Sequence, residues 1–313
     1  MKIGGFMGSA GHSCVFQDKQ ARWWRATTLW IGVHDLFERR LGLFPVSFDA
    51  QGRMSTETAL GDYPRKKADG SFAGWFVQSF GKKCTASSTL SNCPPEQASD
   101  ENCRTWWSAK TGNAGEWLQM DLGTPCRIHA VQVNFAEQDA LDAGEDVHAW
   151  RLLSSDDGAT WHPLVDKSTS RACAPHDYIE LSEPVTARHL KLENVRIPRG
   201  GKFAVRDLRV FGQGNGAPPQ EVGGLNIERH ADDDRNVTVR WKPVDHADGY
   251  LVRYGTAPDA LFQCIQMQGG EKDRLTFHAL TRGVRYVWRI DTFNANGLIA
   301  GSLVGENDEQ IKK

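Results

Sequence analysis

Leu118, Met120 and Leu122 alternate one by one with Gln119 and Asp121, the period of a strand whose two faces meet different surroundings. Short runs of the same kind return at Val131-Gln132-Val133-Asn134-Phe135, Trp150-Arg151-Leu152-Leu153, His189-Leu190-Lys191-Leu192 and Val237-Thr238-Val239-Arg240-Trp241, separated by Gly, Asp, Asn and Pro. No segment sustains a 3.6-residue apolar period, although Leu36 to Leu41 is expected to form one helical turn. A chain patterned this way is excluded from helical bundles and doubly wound α/β folds. It is expected to be all-β, built of sandwiches or barrels.

Two polar, breaker-rich stretches punctuate the pattern: Pro64-Arg65-Lys66-Lys67-Ala68-Asp69-Gly70-Ser71 and Gly212-Gln213-Gly214-Asn215-Gly216-Ala217-Pro218-Pro219. They divide the 313 residues into domains expected at 1–65, 66–214 and 215–313. With 40% hydrophobic residues and 11 Trp, the chain can build cores. A formal charge of −2 gives no electrostatic ground for nucleic acid. No apolar run reaches the roughly 18 residues of a membrane span, so neither nucleic acid nor membrane is expected as a partner. Met1 to Phe6 lacks the apolar stretch of a signal peptide. Either the protein is cytosolic or its export signal lies on an upstream part, which suits a secreted or periplasmic parent.

Cysteines stand at 14, 84, 93, 103, 126, 173 and 264. The odd count leaves at least one unpaired, and no spacing matches a zinc site. Cys93–Cys103 is a candidate loop disulfide in an oxidising compartment; buried or loop thiols are the alternative.

From 80 to 212 five motifs follow in order. They are Ala98-Ser99-Asp100-Glu101-Asn102-Cys103-Arg104-Thr105-Trp106-Trp107-Ser108-Ala109, Gly115-Glu116-Trp117-Leu118-Gln119-Met120-Asp121-Leu122-Gly123, Ser154-Ser155-Asp156-Asp157-Gly158-Ala159-Thr160-Trp161, Ala187-Arg188-His189-Leu190-Lys191-Leu192 and Ala204-Val205-Arg206-Asp207-Leu208-Arg209-Val210-Phe211-Gly212. Together they resemble the discoidin-like (factor V/VIII type C) β-sandwich, a jelly roll with many carbohydrate-binding members. Trp106 and Trp117 are expected in the core, and Asp156-Asp157-Gly158 in a tight turn. The resemblance implies a calcium ion in a loop at Asp100 and Thr105, because hard cations take oxygen ligands; the alternative is that Asp100 caps a turn. It also implies a sugar site at the loops, with Arg104, Trp107 and His176 as candidates, each otherwise a packing or surface residue. The acidic segment 134–148 is longer than such a module needs and is expected to pack on a neighbouring domain instead of binding sugar.

Residues 218–304 resemble a fibronectin type III domain. The likeness rests on Val237-Thr238-Val239-Arg240-Trp241-Lys242-Pro243, Gly249-Tyr250-Leu251-Val252-Arg253-Tyr254-Gly255 and Leu280-Thr281-Arg282-Gly283-Val284-Arg285-Tyr286. It implies structural roles, Trp241 in the core and Tyr286 at the corner. Asp232-Asp233-Asp234 reads as a solvated turn.

The first segment carries Gly11-His12-Ser13-Cys14-Val15-Phe16-Gln17-Asp18, Trp23-Trp24-Arg25-Ala26-Thr27-Thr28, Phe37-Glu38-Arg39-Arg40-Leu41-Gly42-Leu43-Phe44-Pro45 and Phe48-Asp49-Ala50-Gln51-Gly52-Arg53-Met54. This series resembles the last blade of the five-bladed propeller of glycoside hydrolase family 43, inverting enzymes that use three carboxylates from earlier blades. The order blade, discoidin-like module and fibronectin-like domain fits the C-terminal part of such an enzyme. By that resemblance His12 helps hold an ion or water at the propeller centre, and Arg39 or Arg40 lines a sugar pocket. The alternatives are a satisfied core histidine and surface arginines. Asp18, Asp35, Glu38 and Asp49 fall in turns or polar loops and receive no catalytic role. A lone blade would expose Phe16, Trp23, Trp24, Trp30, Phe44 and Phe48, and would pack on the discoidin-like domain, self-associate or stay poorly ordered.

The expected function is a non-catalytic accessory region that binds xylan- or arabinan-type oligo- or polysaccharide of the plant cell wall. A working hydrolase completed by a missing propeller segment from another chain, and a purely structural or adhesion protein, are the alternatives.

Overall fold

The computed structural model describes residues 6–31, 39–66, 69–141, 144–278 and 280–306. It is all-β, 50% strand and 2% helical. The described helical pieces are two 3-10 turns, Pro95–Ala98 and Pro198–Gly200, and none is long and apolar enough to cross a membrane. The helical turn expected at 36–41 is not formed where it is described: Arg39, Arg40 and Leu41 begin a strand, and 36–38, with Asp35 and Glu38, lie outside the described residues.

Four antiparallel strands come first, β1 (Gly8–Gln17), β2 (Trp23–Trp30), β3 (Arg39–Phe48) and β4 (Met54–Thr56), in the order β1-β2-β3-β4. Two hairpins share one device. The Asp18 carboxylate accepts from the backbone N–H groups of Gln20 and Arg22 and from Arg22 Nε. Asp49 does the same for Gln51 and Arg53. An Asp that satisfies turn N–H groups locally specifies the reversal without a core. The core of this sheet is correspondingly small: Leu29 and Phe44, with Met7 against them. Phe44 is buried, contrary to the expectation for a lone blade, and Trp24 and Trp30 are half-buried; Phe16, Trp23 and Phe48 remain exposed.

The chain forms two compact units. One combines the segments up to Leu29 and from Leu41 to Ala73 with the segment from Gly216 onward; the other combines Trp30–Arg40 with Gly74–Asn215. The second unit contains β5 (Phe76–Val77), β6 (Lys83–Ala86), β7 (Trp107–Ser108), β8 (Trp117–Phe135), β9 (Ala149–Ser155), β10 (His162–Asp166), β11 (His176–Arg196) and β12 (Ala204–Gln213). Their order is β10-β9-β11-β8-β12-β5, with β6 on β8 and β7 on β12. The long strands β8 and β11 run antiparallel with register shifts between Glu180 and Val185 and between Ala187 and His189. These irregularities bend the pair so that it serves both layers of a β-sandwich. The alternation read along β8 is realised: Leu118, Met120 and Leu122 are buried, and Trp117, Gln119 and Asp121 are half-exposed. Trp117 therefore lies on the outer face rather than in the core, with the Lys191 ammonium 5.5 Å from its ring. At the Asp156–Gly158 turn the Asp157 carboxylate accepts from Ala159 N and Thr160 N, and Gly158 takes φ 72°.

The C-terminal segment adds β13 (Asn226–Arg229), β14 (Asn236–Arg240), β15 (Gly249–Gly255), β16 (Gln263–Gln268), β17 (Arg274–His278), β18 (Val287–Asn294), β19 (Gly297–Ile299) and β20 (Val304–Gly305). A three-stranded sheet, β13-β14-β17, faces a five-stranded one, β16-β15-β18-β19 with β20 on β18. Trp241, Tyr250, Phe277 and Trp288 fill the space between. The Tyr286 hydroxyl accepts from Thr281 N at 3.2 Å, the corner contact expected of it. Within the same unit the turn after β4 rests against β15 and β16: Glu57 Oε2 lies 3.6 Å from Arg253 Nη1, and Thr58 Oγ1 donates to the Cys264 carbonyl at 3.5 Å. Support of the first sheet by the C-terminal sandwich was not among the arrangements expected for a lone blade.

Candidate functional site

β12 is buried along Ala204–Gly212, yet it carries Arg206, Asp207 and Arg209. Three buried polar groups on one central strand require partners, and they find them in the loop that follows the first 3-10 turn. Arg209 Nε and Nη2 donate to the two Glu101 carboxylate oxygens at 2.8 and 3.0 Å, with both side chains at most 1% exposed. Glu101 N donates to Asp207 Oδ2 at 2.9 Å, and Arg206 Nη1 donates to the Cys103 carbonyl at 2.8 Å. Burial, with Glu101 close by, holds the Asp207 carboxyl well above the usual carboxylate range. Glu101 adopts φ 54°, a left-handed conformation uncommon for a residue with a side chain. The ion pair with Arg209 pins it there and so fixes the loop's path.

On the outer side of that loop, Asp100 Oδ1 accepts from Asn102 N at 3.0 Å and Oδ2 accepts from the Thr105 hydroxyl at 2.7 Å. The Asn102 carbonyl is 3.1 Å from the same hydroxyl. Asp100 thus makes the turn-capping contacts that were its alternative role. Burial raises its pKa above the ordinary value, against the hydrogen bonds from Thr105 and Asn102 that lower it. Carboxylate, hydroxyl and carbonyl oxygens together are the donor set of a hard cation. Among the described residues no three His, Cys, Asp or Glu side chains converge on a metal position.

The remaining sequence candidates separate. Trp107 is fully buried, edge-on to Phe203 at 5.4 Å with its Nε1 donating to the Ser88 carbonyl, so it cannot stack on a sugar. Its neighbour Trp106 is the half-buried one, donating to Gln138 Oε1 at 3.0 Å with Arg206 over its ring at 5.1 Å. Trp107, which begins β7, is thus the core tryptophan, and Trp106, just before the strand, is not. Arg104 is exposed and lies over the Trp30 ring at 4.5 Å. His176 Nδ1 donates to Asn134 Oδ1 at 3.0 Å, and Nε2 is buried. Burial, then Arg40, Arg206 and His148, push its pKa down to about 3, so it is neutral and enclosed instead of offered to a ligand. Arg40 is thus brought beside His176, while Arg39 is exposed. His12 is exposed at φ 36° on β1 and not enclosed around an ion. All seven cysteines are free thiols, and Cys93 and Cys103 are both buried.

The acidic segment pairs inside its own domain. Glu145 meets Arg196 at 3.1 Å, Asp146 takes Arg199 at 2.5 and 3.0 Å, and Asp139 takes Lys202. The carboxylates of Asp139, Glu145 and Asp146 are therefore engaged by side chains of 196–202 within the same domain. Between the two loops lies an open groove of about 460 Å³. Leu141, Val195 and Ile197 supply apolar surface, Glu145, Arg196 and Arg199 line it, and Gly144, at φ 142°, lets the Arg199 backbone come close. Sequence inspection passed over this groove. Its only trace was charge complementarity between 137–146 and 196–202, which carries no spatial information until the strands are paired.

The sandwich architecture defines the class, and comparison with known proteins refines it. Residues 83–207 match the F5/8 type C domain model; the chain therefore contains a discoidin-like, F5/8 type C domain. Lactadherin of Bos taurus is 38% identical over 68 residues, 21% of this chain, and lactadherin of Rattus norvegicus 34% over 67. The chain spans only 15% of the length of these curated relatives. Similar solved structures include chitosan-binding module 1 from a chitosanase/glucanase of Paenibacillus sp. IK-5, at 18% identity and TM-score 0.38, covering 44% of this chain and 99% of that one. Another is a fucose-binding module of Streptococcus pneumoniae, at 17% identity and TM-score 0.36, covering 45% and 98%.

Proposed function

We propose that the F5/8 type C domain is a carbohydrate-binding module and that the groove lined by Leu141, Gly144, Glu145, Val195, Arg196 and Ile197 takes the sugar. The groove carries this reading. A pyranose offers an apolar ring face and a fringe of hydroxyls; Leu141, Val195 and Ile197 suit the first, and Arg196 with Glu145 suits the second. The loop oxygens of Asp100, Thr105 and Asn102 would hold a calcium ion that stiffens the domain without touching sugar. The finer reading keeps to the resemblance: an accessory part of a family-43-like glycoside hydrolase, including a propeller-blade-like first sheet and a fibronectin-like third part, directed to xylan- or arabinan-type chains.

Calorimetric titration of the full chain with xylan and arabinan oligosaccharides tests it. Binding is expected to weaken at least about tenfold in Arg196→Ala, a loss of about 1.4 kcal/mol. Absence of binding at millimolar sugar overturns the module reading and favours a structural or adhesion role. Release of nitrophenol from nitrophenyl xyloside or arabinofuranoside by the purified chain, lost in His12→Ala, overturns the non-catalytic part.

A further inference from the structure

β1 forms one edge of the first sheet, and among the described residues no strand pairs with its outer side. A free edge is an open row of N–H and C=O groups, and proteins normally guard it with charge, proline, irregularity or shortness. The other edges of this chain are guarded in those ways. β4 has three residues and β19 three. β10 holds Pro163 and a register shift beside it. β13 carries Glu228 and Arg229, and β17 carries Arg274. β16 is half-buried or buried from Cys264 to Gln268.

β1 is guarded by neither charge, proline nor shortness. It is ten residues long, Gly8-Ser9-Ala10-Gly11-His12-Ser13-Cys14-Val15-Phe16-Gln17, without Lys, Arg, Asp, Glu or Pro. Every residue from Gly11 to Gln17 is exposed, including Val15 and Phe16. The one irregularity, His12 at φ 36°, sits toward the N-terminal half, where the Thr27 and Thr28 hydroxyls bond the Gly11 carbonyl on the inner side. That leaves Ser13–Gln17 as a regular, uncharged outer edge.

We propose that β1 pairs antiparallel with β1 of a second copy of this chain, joining the two four-stranded sheets across a two-fold axis. An antiparallel strand is complementary to itself under such an axis, and the contact closes instead of propagating. The axis sets one residue of the edge opposite its own copy and the others opposite residues nearby in the same strand, so any charge on this edge would meet its own copy within one short seam. A charged strand would repel itself, whereas Val15 and Phe16 form favourable cross-strand pairs. Neutrality therefore favours a second copy over a charged partner segment.

Sedimentation equilibrium of the full chain between about 1 and 100 µM, the range where contacts of modest area dissociate, reads the dimer. Val15→Lys and Phe16→Lys are each expected to raise its dissociation constant at least about tenfold, because two copies then oppose like charges. Leu41→Lys, a still more exposed apolar position on β3, is the control and is expected to leave the constant within about twofold. A second readout needs no variant. Maleimide labelling of the exposed Cys14 should slow as protein concentration rises, while the exposed Cys173 in the other unit keeps its rate. A monomer throughout, or a dimer lost as readily in Leu41→Lys as in Val15→Lys, overturns the proposal. So does Cys14 labelling at one rate over the whole range.

Discussion

The first sheet and the middle sandwich use the same alternating pattern and end up held together differently. The sandwich encloses Trp107, Phe135, Trp150, Phe203 and the inward residues of β8, β11 and β12. The first sheet encloses Leu29 and Phe44 with Met7, and relies on turn-bonding aspartates and on contacts with β15 and β16. Alternation alone specifies strands. Whether a sheet stands on its own depends on how much apolar surface a second layer covers.

The largest test of this contrast is Arg209→Met. It leaves Glu101 buried without its cation, and the middle sandwich should lose about 3–5 kcal/mol while the unit holding the first sheet keeps its own transition; differential scanning calorimetry resolves the two. Next comes pH. Burial, opposed in part by Asp146, pushes His148 from 6.5 down to about 4. The folded sandwich resists protonation that the unfolded chain accepts, so this stabilisation is complete above pH 6.5 and drains away as pH falls toward 4. The loss is on the order of 3 kcal/mol, and thermal melts of His148→Gln should be flatter than wild type across that window. A third change, Leu29→Ala, should cost about 2–3 kcal/mol, confined to the transition that leaves the sandwich untouched. The smallest is Glu57→Gln, a pair with Arg253 that is partly solvated. It should shift the same transition by less than about 1 kcal/mol. One shared transition responding to all four variants would dissolve the distinction between the two regions.

Much of the sandwich was legible because its signals are local. Leu118, Met120 and Leu122 announce an inward face, and Asp157 with Gly158 announces a turn. The site was less legible because its signals are relational. Trp106 and Trp107 are the same residue type side by side, and only the pairing of β7 with β12 decides which one turns inward. Glu101 looks like a surface acid until Arg209 is found beneath it. Glu145 and Asp146 look unpaired until the end of β11 and Arg199 lie beside them. The support under the first sheet had no sequence mark, since Glu57 and Arg253 stand far apart in the chain.

The compact unit that contains the first sheet is interrupted: it begins with β1 to β4 and is completed only by Gly216 onward. During synthesis its opening strands leave the ribosome long before the residues that will support them, and the entire middle sandwich can fold in the interval. The contacts of Glu57 and Thr58 with β15 and β16 are then among the last to form, bridging distant parts of the chain at the slow end of folding. Trp23 and Phe48, exposed even in the finished fold, are available to any apolar surface nearby throughout. A nascent chain built in this order has its strongest need of a chaperone at the first sheet.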